Sequence, residues 1–376
     1  STRYGGPTST DKVNAQVTRQ ERLTWLNENT LTYQTNIKKK HFLNVLGGIT
    51  FQNSDYEIYS FRTTHIPNES LGMAGMSEGQ AGTTTSAKSS WAMLSYLGRV
   101  TYNYMSKYYA TASFRADGSS KFNKANRYGY FPSASLAWSF TEEEFMKPLK
   151  SVLSSGKIRL SWGLTGNNRI GEYDYYALLA VLKSRVGSYT STNSLPSGVY
   201  PFDNDATNAG VVPTSLPNKD LKWETTEQWN AGLDLGFFDN RLNLSADLFI
   251  RDTKDMLVPG KMLPGVYGAT PPKENAANLR TKGFELAVSW YDQFNLGNKP
   301  FSYNLSFGLS DSKSVITKFD NPMKEFAKSS YYEGMTIGEI WGYKIDGLFQ
   351  TDEEAAAYSK AVDNSYVCKN IFVTAV

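Results

Sequence analysis

Apolar residues recur at every second position in segment after segment of this chain, a pattern that demands extended strands with one oily face and one polar face. Tyr108, Ala110, Ala112, Phe114 and Ala116 alternate with Tyr109, Thr111, Ser113, Arg115 and Asp117. Tyr130, Pro132, Ala134, Leu136, Trp138 and Phe140 face away from Ser133, Ser135 and Ser139, and Ile158, Leu160, Trp162 and Leu164 face away from Lys157, Arg159, Ser161 and Gly163. The same split returns in residues 228–237, 242–251, 284–290 and 301–309. With weaker runs near residues 23–33, 43–51 and 94–104, ten strands are expected. Most reach about 9–11 residues or more, the length a tilted strand needs to cross a bilayer.

The connections sort by length. A short turn near Lys38, a tight turn near Ser106, a medium connection over 141–156, a tight turn at Asp239 and Asn240 and a modest turn over 292–299 alternate with longer loops. Those loops are expected over 53–90, 118–127, 166–222 and 253–280. This is the rhythm of an up-and-down transmembrane barrel, with short periplasmic turns and long outer loops. Aromatic residues gather at the short-turn ends: Tyr102, Tyr104, Tyr108, Trp138, Phe140, Phe237, Trp290, Tyr291, Phe301 and Tyr303. An amphipathic ring sits well at headgroup level, so these predict an interfacial girdle. On the opposite face Arg115, Asp117, Arg159, Asp247 and Arg251 would stay hydrated in a lumen or pair with an inserted domain.

Composition narrows the function. Of 376 residues 14% are aromatic, and the net charge is only +3 with Lys and Arg dispersed, so no nucleic-acid footprint appears. No run of 18 apolar residues exists, which excludes a spanning helix and leaves a barrel open. The single Cys368 has no internal disulfide partner, and with His41 and His65 it forms no zinc spacing. Glu142 to Glu144 resemble paired catalytic carboxylates, but their place before Phe145, Met146 and Leu149 reads as the acidic first turn of a short helix. Asp203, Asn204 and Asp205 offer oxygen ligands for calcium without the distal Glu of a full loop, so no cofactor is assigned. Nucleophile elbows and phosphate-binding glycine loops are absent, and a non-enzyme is expected. The rival from another class is a secreted β-sandwich that binds carbohydrate or mediates adhesion, in which the oily faces bury against each other.

Longer strings carry a family resemblance: SFRADGSSKF at 113–122, YGYFPSASLAWSFTEEEF at 128–145, KIRLSWGLTGNN at 157–168, the stretch LKWETTEQWNAGLDLGFFDNRLNLSADLFIRDTKDML at 221–257, NLRTKGFEL at 278–286 and WGYKIDGLFQ at 341–350. In order and spacing the chain resembles SusC-like (RagA-type) TonB-dependent transporters of the Bacteroidetes outer membrane. The resemblance implies an all-β fold, part of a plugged barrel of roughly 22 strands. It implies import of oligomeric nutrients, an oligosaccharide by preference and an oligopeptide as the alternative, with a SusD-like surface lipoprotein as lid. It further implies a bacterial outer-membrane address, energy from the TonB complex acting on a plug region, and a dimer of transporter–lipoprotein pairs. Residues 1–376 are expected to form a partial barrel domain with long extracellular loops. The plug, a leader and the C-terminal strands are expected to lie outside this stretch, whose 359–376 tail does not resume the pattern.

In such a transporter, substrate is gripped by aromatic faces and oriented by planar polar groups. The candidates are Tyr189, Tyr200, Phe202, Asn204 and Asp205 in the longest loop, and Arg115, Asp117, Lys121 and Asn123 near the lumen. For each, the competing reading is a loop-packing aromatic or a charge paired to a neighbouring strand or to the plug.

Overall fold

The computed structural model describes residues 13–181, 199–202, 206–209, 211–260, 269–320, 331–340, 344–347, 349–361 and 372–374. Ten long strands form one antiparallel sheet in strict chain order. They are β1 (Val13–Ile37), β2 (His41–Ile66), β3 (Gln80–Tyr104), β4 (Tyr108–Ser119), β5 (Tyr128–Trp138), β6 (Leu153–Asn167), β7 (Glu224–Phe237), β8 (Leu242–Pro259), β9 (Lys273–Leu296) and β10 (Lys299–Lys318). The numbering covers this sheet only; two short ribbons lie in the loop between β6 and β7. No helix among the described residues is long and apolar enough to cross a membrane.

The alternation of the sequence becomes rows across the sheet because cross-strand partners share a face. Trp138, Ile158, Leu233, Ala246, Leu286 and Leu309 are successive direct partners from β5 to β10. The neighbouring row runs Leu136, Leu160, Ala231, Leu248 and Phe284. Each row is apolar throughout, and the face is uncovered: Leu248 is 65% exposed and Leu305 64%. In water such a wall would drive association; in hydrocarbon it is already solvated. A sandwich would have buried these side chains, so the soluble alternative fails on exposure.

Two expectations about length change. The outer loops predicted over 53–90 and 253–280 are largely strand, since β2 runs to Ile66, β3 begins at Gln80, β8 runs to Pro259 and β9 begins at Lys273. Here both faces of the sheet meet water, so the oily alternation that marks a strand in lipid disappears while the hydrogen-bond ladder continues. The glycine-rich stretch after Asn68 is a 3₁₀ segment, Glu69–Glu78, rather than an open loop. At the other rim the turns near Lys38, Ser106 and Asp239 are as tight as predicted and the modest turn expected over 292–299 is tighter, with left-handed residues at Lys38 and Lys39, Met105 and Ser106, Phe238 to Asn240, and Gly297 with Asn298. The girdle aromatics meet there. Tyr104 stacks on Tyr108 at 6.4 Å, Trp138 meets Phe140 edge-on at 5.9 Å, and Trp290 Nε1 donates to the Tyr303 hydroxyl at 3.1 Å.

The connection between β5 and β6 is folded back against this rim. Its acidic start forms two short 3₁₀ turns, Phe140–Glu142 and Glu144–Leu149, with Glu143 between them. The ring of Phe140 lies across Gly156, where a Cβ would collide with it, and Gly156 N–H donates to Thr141 Oγ1 at 2.9 Å. The Glu143 carboxylate accepts from the Tyr108 hydroxyl at 2.6 Å, Lys107 Nζ at 3.0 Å and Trp138 Nε1 at 3.4 Å, clasping the β3–β4 turn to the β5–β6 connection. The Tyr108 hydroxyl and the Lys107 ammonium hold this carboxyl below the usual carboxylate range.

Two outcomes are expected. Leu248→Arg places a charge in the middle of the apolar band and should cost roughly 2–4 kcal/mol, whereas lumen-facing Ser289→Arg should fold normally, as read by the heat-dependent gel mobility of the barrel. The Glu143 clasp has a depressed folded-state pKa, so its contribution is complete above the ordinary carboxylate pKa and is lost as pH falls through the folded value. Thermal unfolding should therefore show an acid-side loss in the parent that Glu143→Gln makes smaller.

Candidate functional site

The inner face of the sheet holds a charge cluster built around a missing side chain. Gly232 on β7 stands directly between Arg159 on β6 and Asp247 on β8. With no Cβ to block it, the Arg159 guanidinium crosses the β7 backbone and makes a two-pronged contact with Asp234, Nε to Oδ2 at 2.7 Å and Nη2 to Oδ1 at 2.9 Å. Its Nη2 also reaches Asp247 Oδ2 at 3.0 Å, and Ser245 Oγ donates to Asp234 Oδ1 at 2.8 Å. Parity puts Arg159, Gly232, Asp234 and Asp247 all on the polar face; the bridge that joins them over Gly232 was not readable, because the contact spans three strands. Arg251 instead donates Nε to Gln228 Oε1 at 3.2 Å.

At the outer end of the lumen the strands part and an apolar knot fills the opening. The β5–β6 pairing ends at Ser133 and Gly163. Beyond it Phe131 lies across Gly129 and Gly166, and Trp223 packs on Phe131 at 5.5 Å and on Phe122 at 5.3 Å. Phe122 and Leu221 are fully buried, with Ile170 beside them. Trp223 Nε1 donates to the Arg127 carbonyl at 3.0 Å, so its polar edge is satisfied. Two separate outer connections, β4–β5 and the two ends of β6–β7, are thereby locked onto one another and onto β5.

The candidates near the lumen do come together around this knot. Arg115 Nε donates to both Asp117 oxygens at 2.7 and 2.8 Å, and its Nη2 donates to Ser95 Oγ at 3.1 Å. Asp117 is buried, while the Arg115 side chain keeps 42% of its surface exposed. Lys121 Nζ donates to the Ile170 carbonyl at 3.0 Å and sits 5.5 Å from the Trp91 ring centroid. Asn123 caps the Lys124 N–H at 2.7 Å and donates to the Lys219 carbonyl at 3.4 Å. Both side chains tie neighbouring loops together. Tyr189, Asn204 and Asp205 lie outside the described residues, as does Asp203; Tyr200 and Phe202 lie on a short strand, Val199–Phe202, paired with Ala206–Ala209.

A feature absent from the expectations is a tyrosine cluster in residues 173–176. The Tyr175 ring lies 4.0 Å from that of Tyr176, with a 2.8 Å bond between the hydroxyls, and Tyr173 receives the Ser90 N–H at 3.3 Å. Burial and the bond to Tyr176 push the Tyr175 phenol up to about 12. Tyr176 is 50% exposed and Tyr173 40%. Asp174 between them accepts from Gly171 N at 2.7 Å and Lys273 Nζ at 3.0 Å, which fixes the loop. The string EYDYY was the available signal. Aromatic faces beside planar polar groups are suited to binding. No group of three or more metal-ligating side chains occurs among the described residues.

An antiparallel sheet in chain order, oily on one face and charged on the other, with its long connections gathered at one rim, is the wall of a bacterial outer-membrane β-barrel; β1 and β10 are not paired with each other, so the ten strands form an open arc of that wall. Comparison with known proteins is in accord. The family model described as TonB dependent receptor-like, beta-barrel matches residues 1–352, and the chain belongs to that family, in its SusC/RagA-like branch. TonB-dependent receptor P3 of Formosa agariphila is 33% identical over 86% of this chain and 31% of its own length. TonB-dependent receptor SusC of Bacteroides thetaiotaomicron is 35% identical over 74% of this chain and 25% of its own. The RagAB peptide transporter superposes with a TM-score of 0.74 at 23% identity, covering 90% of this chain and 35% of that one. The chain thus spans about a quarter to a third of the curated relatives it matches.

The knot generates a prediction. Trp223→Ala removes the ring on which Phe122 and Phe131 converge and should cost the outer mouth about 3–5 kcal/mol. Limited proteolysis should then cut in residues 120–127 and 168–178 while the heat-dependent mobility of the barrel is retained.

Proposed function

We propose that this chain forms part of the wall and outer mouth of an active importer of oligomeric nutrients, with an oligosaccharide as the preferred cargo. The observation that carries this reading is the mouth itself, where exposed Tyr173 and Tyr176 flank Tyr175, which packs on the knot that locks the outer loops. Stacking on aromatic rings suits the apolar faces of sugar rings, and charged or amide groups suit their hydroxyls. In this reading Arg115 and Asp117 line the path, and Lys121 and Asn123 hold its rim. Tyr189, Tyr200, Phe202, Asn204 and Asp205 belong to the longest loop, which meets cargo or lid. A SusD-like lipoprotein closes the mouth from outside, and the TonB complex supplies energy through a plug in the whole transporter.

An oligopeptide is the second reading, favoured by the likeness in fold to RagAB, a peptide transporter. The two separate in one experiment: purify the whole transporter from outer membranes, identify the co-purifying lipoprotein, and titrate the complex with mixed oligosaccharides and with mixed oligopeptides. Heat released by the saccharides alone is expected, and Tyr176→Ala should weaken that binding about tenfold, or 1.4 kcal/mol. Binding of peptides alone would transfer the assignment to the second reading.

A further inference from the structure

The β5–β6 connection carries large apolar side chains that no described part of the chain covers. Phe145, Leu149 and Val152 are 65%, 53% and 50% exposed. Their setting shows where they point the connection. Glu143 is bonded to Tyr108 and Trp138, and Phe140 packs on Trp138. Tyr108 and Trp138 are outward residues of the wall, in register with the apolar row. The connection therefore hangs on the lipid side of the short-turn rim, not beneath the lumen.

Its charges are arranged to suit that place. Three consecutive glutamates beside anionic headgroups would be repelled, yet each is neutralised by a lysine: Glu142 by Lys150 at 3.3 Å, Glu143 by Lys107 at 3.0 Å and Glu144 by Lys147. The apolar wall above is continuous with the segment, since Leu136 and Ile158 are 61% and 40% exposed on the same face. A segment attached to a wall solvated by lipid, with its acids neutralised and its large apolar groups bare, has the make-up of an interfacial anchor.

We propose that residues 140–152 form a foot that inserts Phe145, Leu149 and Val152 into the headgroup boundary of the periplasmic leaflet, with the phospholipid surface as its partner. The foot is joined through Glu143 and Lys107 to the β3–β4 turn, so leaflet contact also braces that hairpin.

The test uses the whole transporter reconstituted in phosphatidylethanolamine–phosphatidylglycerol vesicles, in a background lacking other reactive cysteines. Phe145→Cys, Val152→Cys and, as a reference on the same rim, Asp239→Cys each carry an environment-sensitive nitrobenzoxadiazole label. Insertion about 5–10 Å into the interface predicts blue-shifted emission at 145 and 152, with quenching by shallow spin-labelled lipid about threefold stronger than at 239. Quenching by aqueous iodide at all three positions would overturn the proposal. So would blue-shifted emission insensitive to the spin-labelled lipid, which would mean that a protein surface covers the foot. If the label at 145 prevents folding, judged by heat-dependent mobility, position 152 alone decides between these outcomes.

Discussion

Hydrocarbon offers no partner for a peptide N–H or C=O, so each strand of this sheet must find its hydrogen bonds in its neighbours. Most other features rest on that ladder. Because the side-chain period is two, a slip of one residue between any pair would turn charged residues to lipid and leucines to the lumen. The register instead carries apolar rows across several strands without a break, from Trp138 to Leu309. Tight turns at one rim fix the register at one end, and the apolar band fixes it along the length.

Within that frame, glycine works as space. Gly232 admits an arginine across a strand, so that three strands share one set of ion pairs. Gly129 and Gly166 admit the Phe131 ring where β5 and β6 part, and Gly156 admits Phe140 beneath the rim. In each case an added Cβ would strike the neighbour that the site depends on. Long-range contacts in this sheet therefore depend on where side chains are missing as much as on those present. The lumen cluster, one arginine set between two aspartates, is also compatible with a wet interior, where the surplus charge is hydrated and the paired ones hold their strands in place.

What could be read in the sequence follows from which solvent each face meets. The ten strands were legible because lipid requires an apolar residue at every second position over a bilayer's width, and the tight turns were legible because their composition is distinctive. The outer ends of β1, β8, β9 and β10 and the outer halves of β2 and β3 were not, since water on both faces removes the pattern while leaving the ladder. Arg159 and Asp247 could be assigned to the lumen by parity, but their bridge over Gly232 could not, because it joins residues distant in sequence. Lys121 and Asn123 were legible as mouth residues; that they bind loop carbonyls emerges only once residues 170 and 219 are folded beside them. The paired acids of residues 142–144 had a local signature, and their use as a clasp did not.

The height of the wall has a bearing on where its rim lies. β2 has 26 residues, and at about 3.3 Å per residue with a tilt near 40° it rises roughly 65 Å, against a hydrocarbon core of about 30 Å. The surplus stands outside the membrane as a chimney. The rim at which the outer loops meet is therefore lifted clear of the hydrocarbon rather than lying level with it.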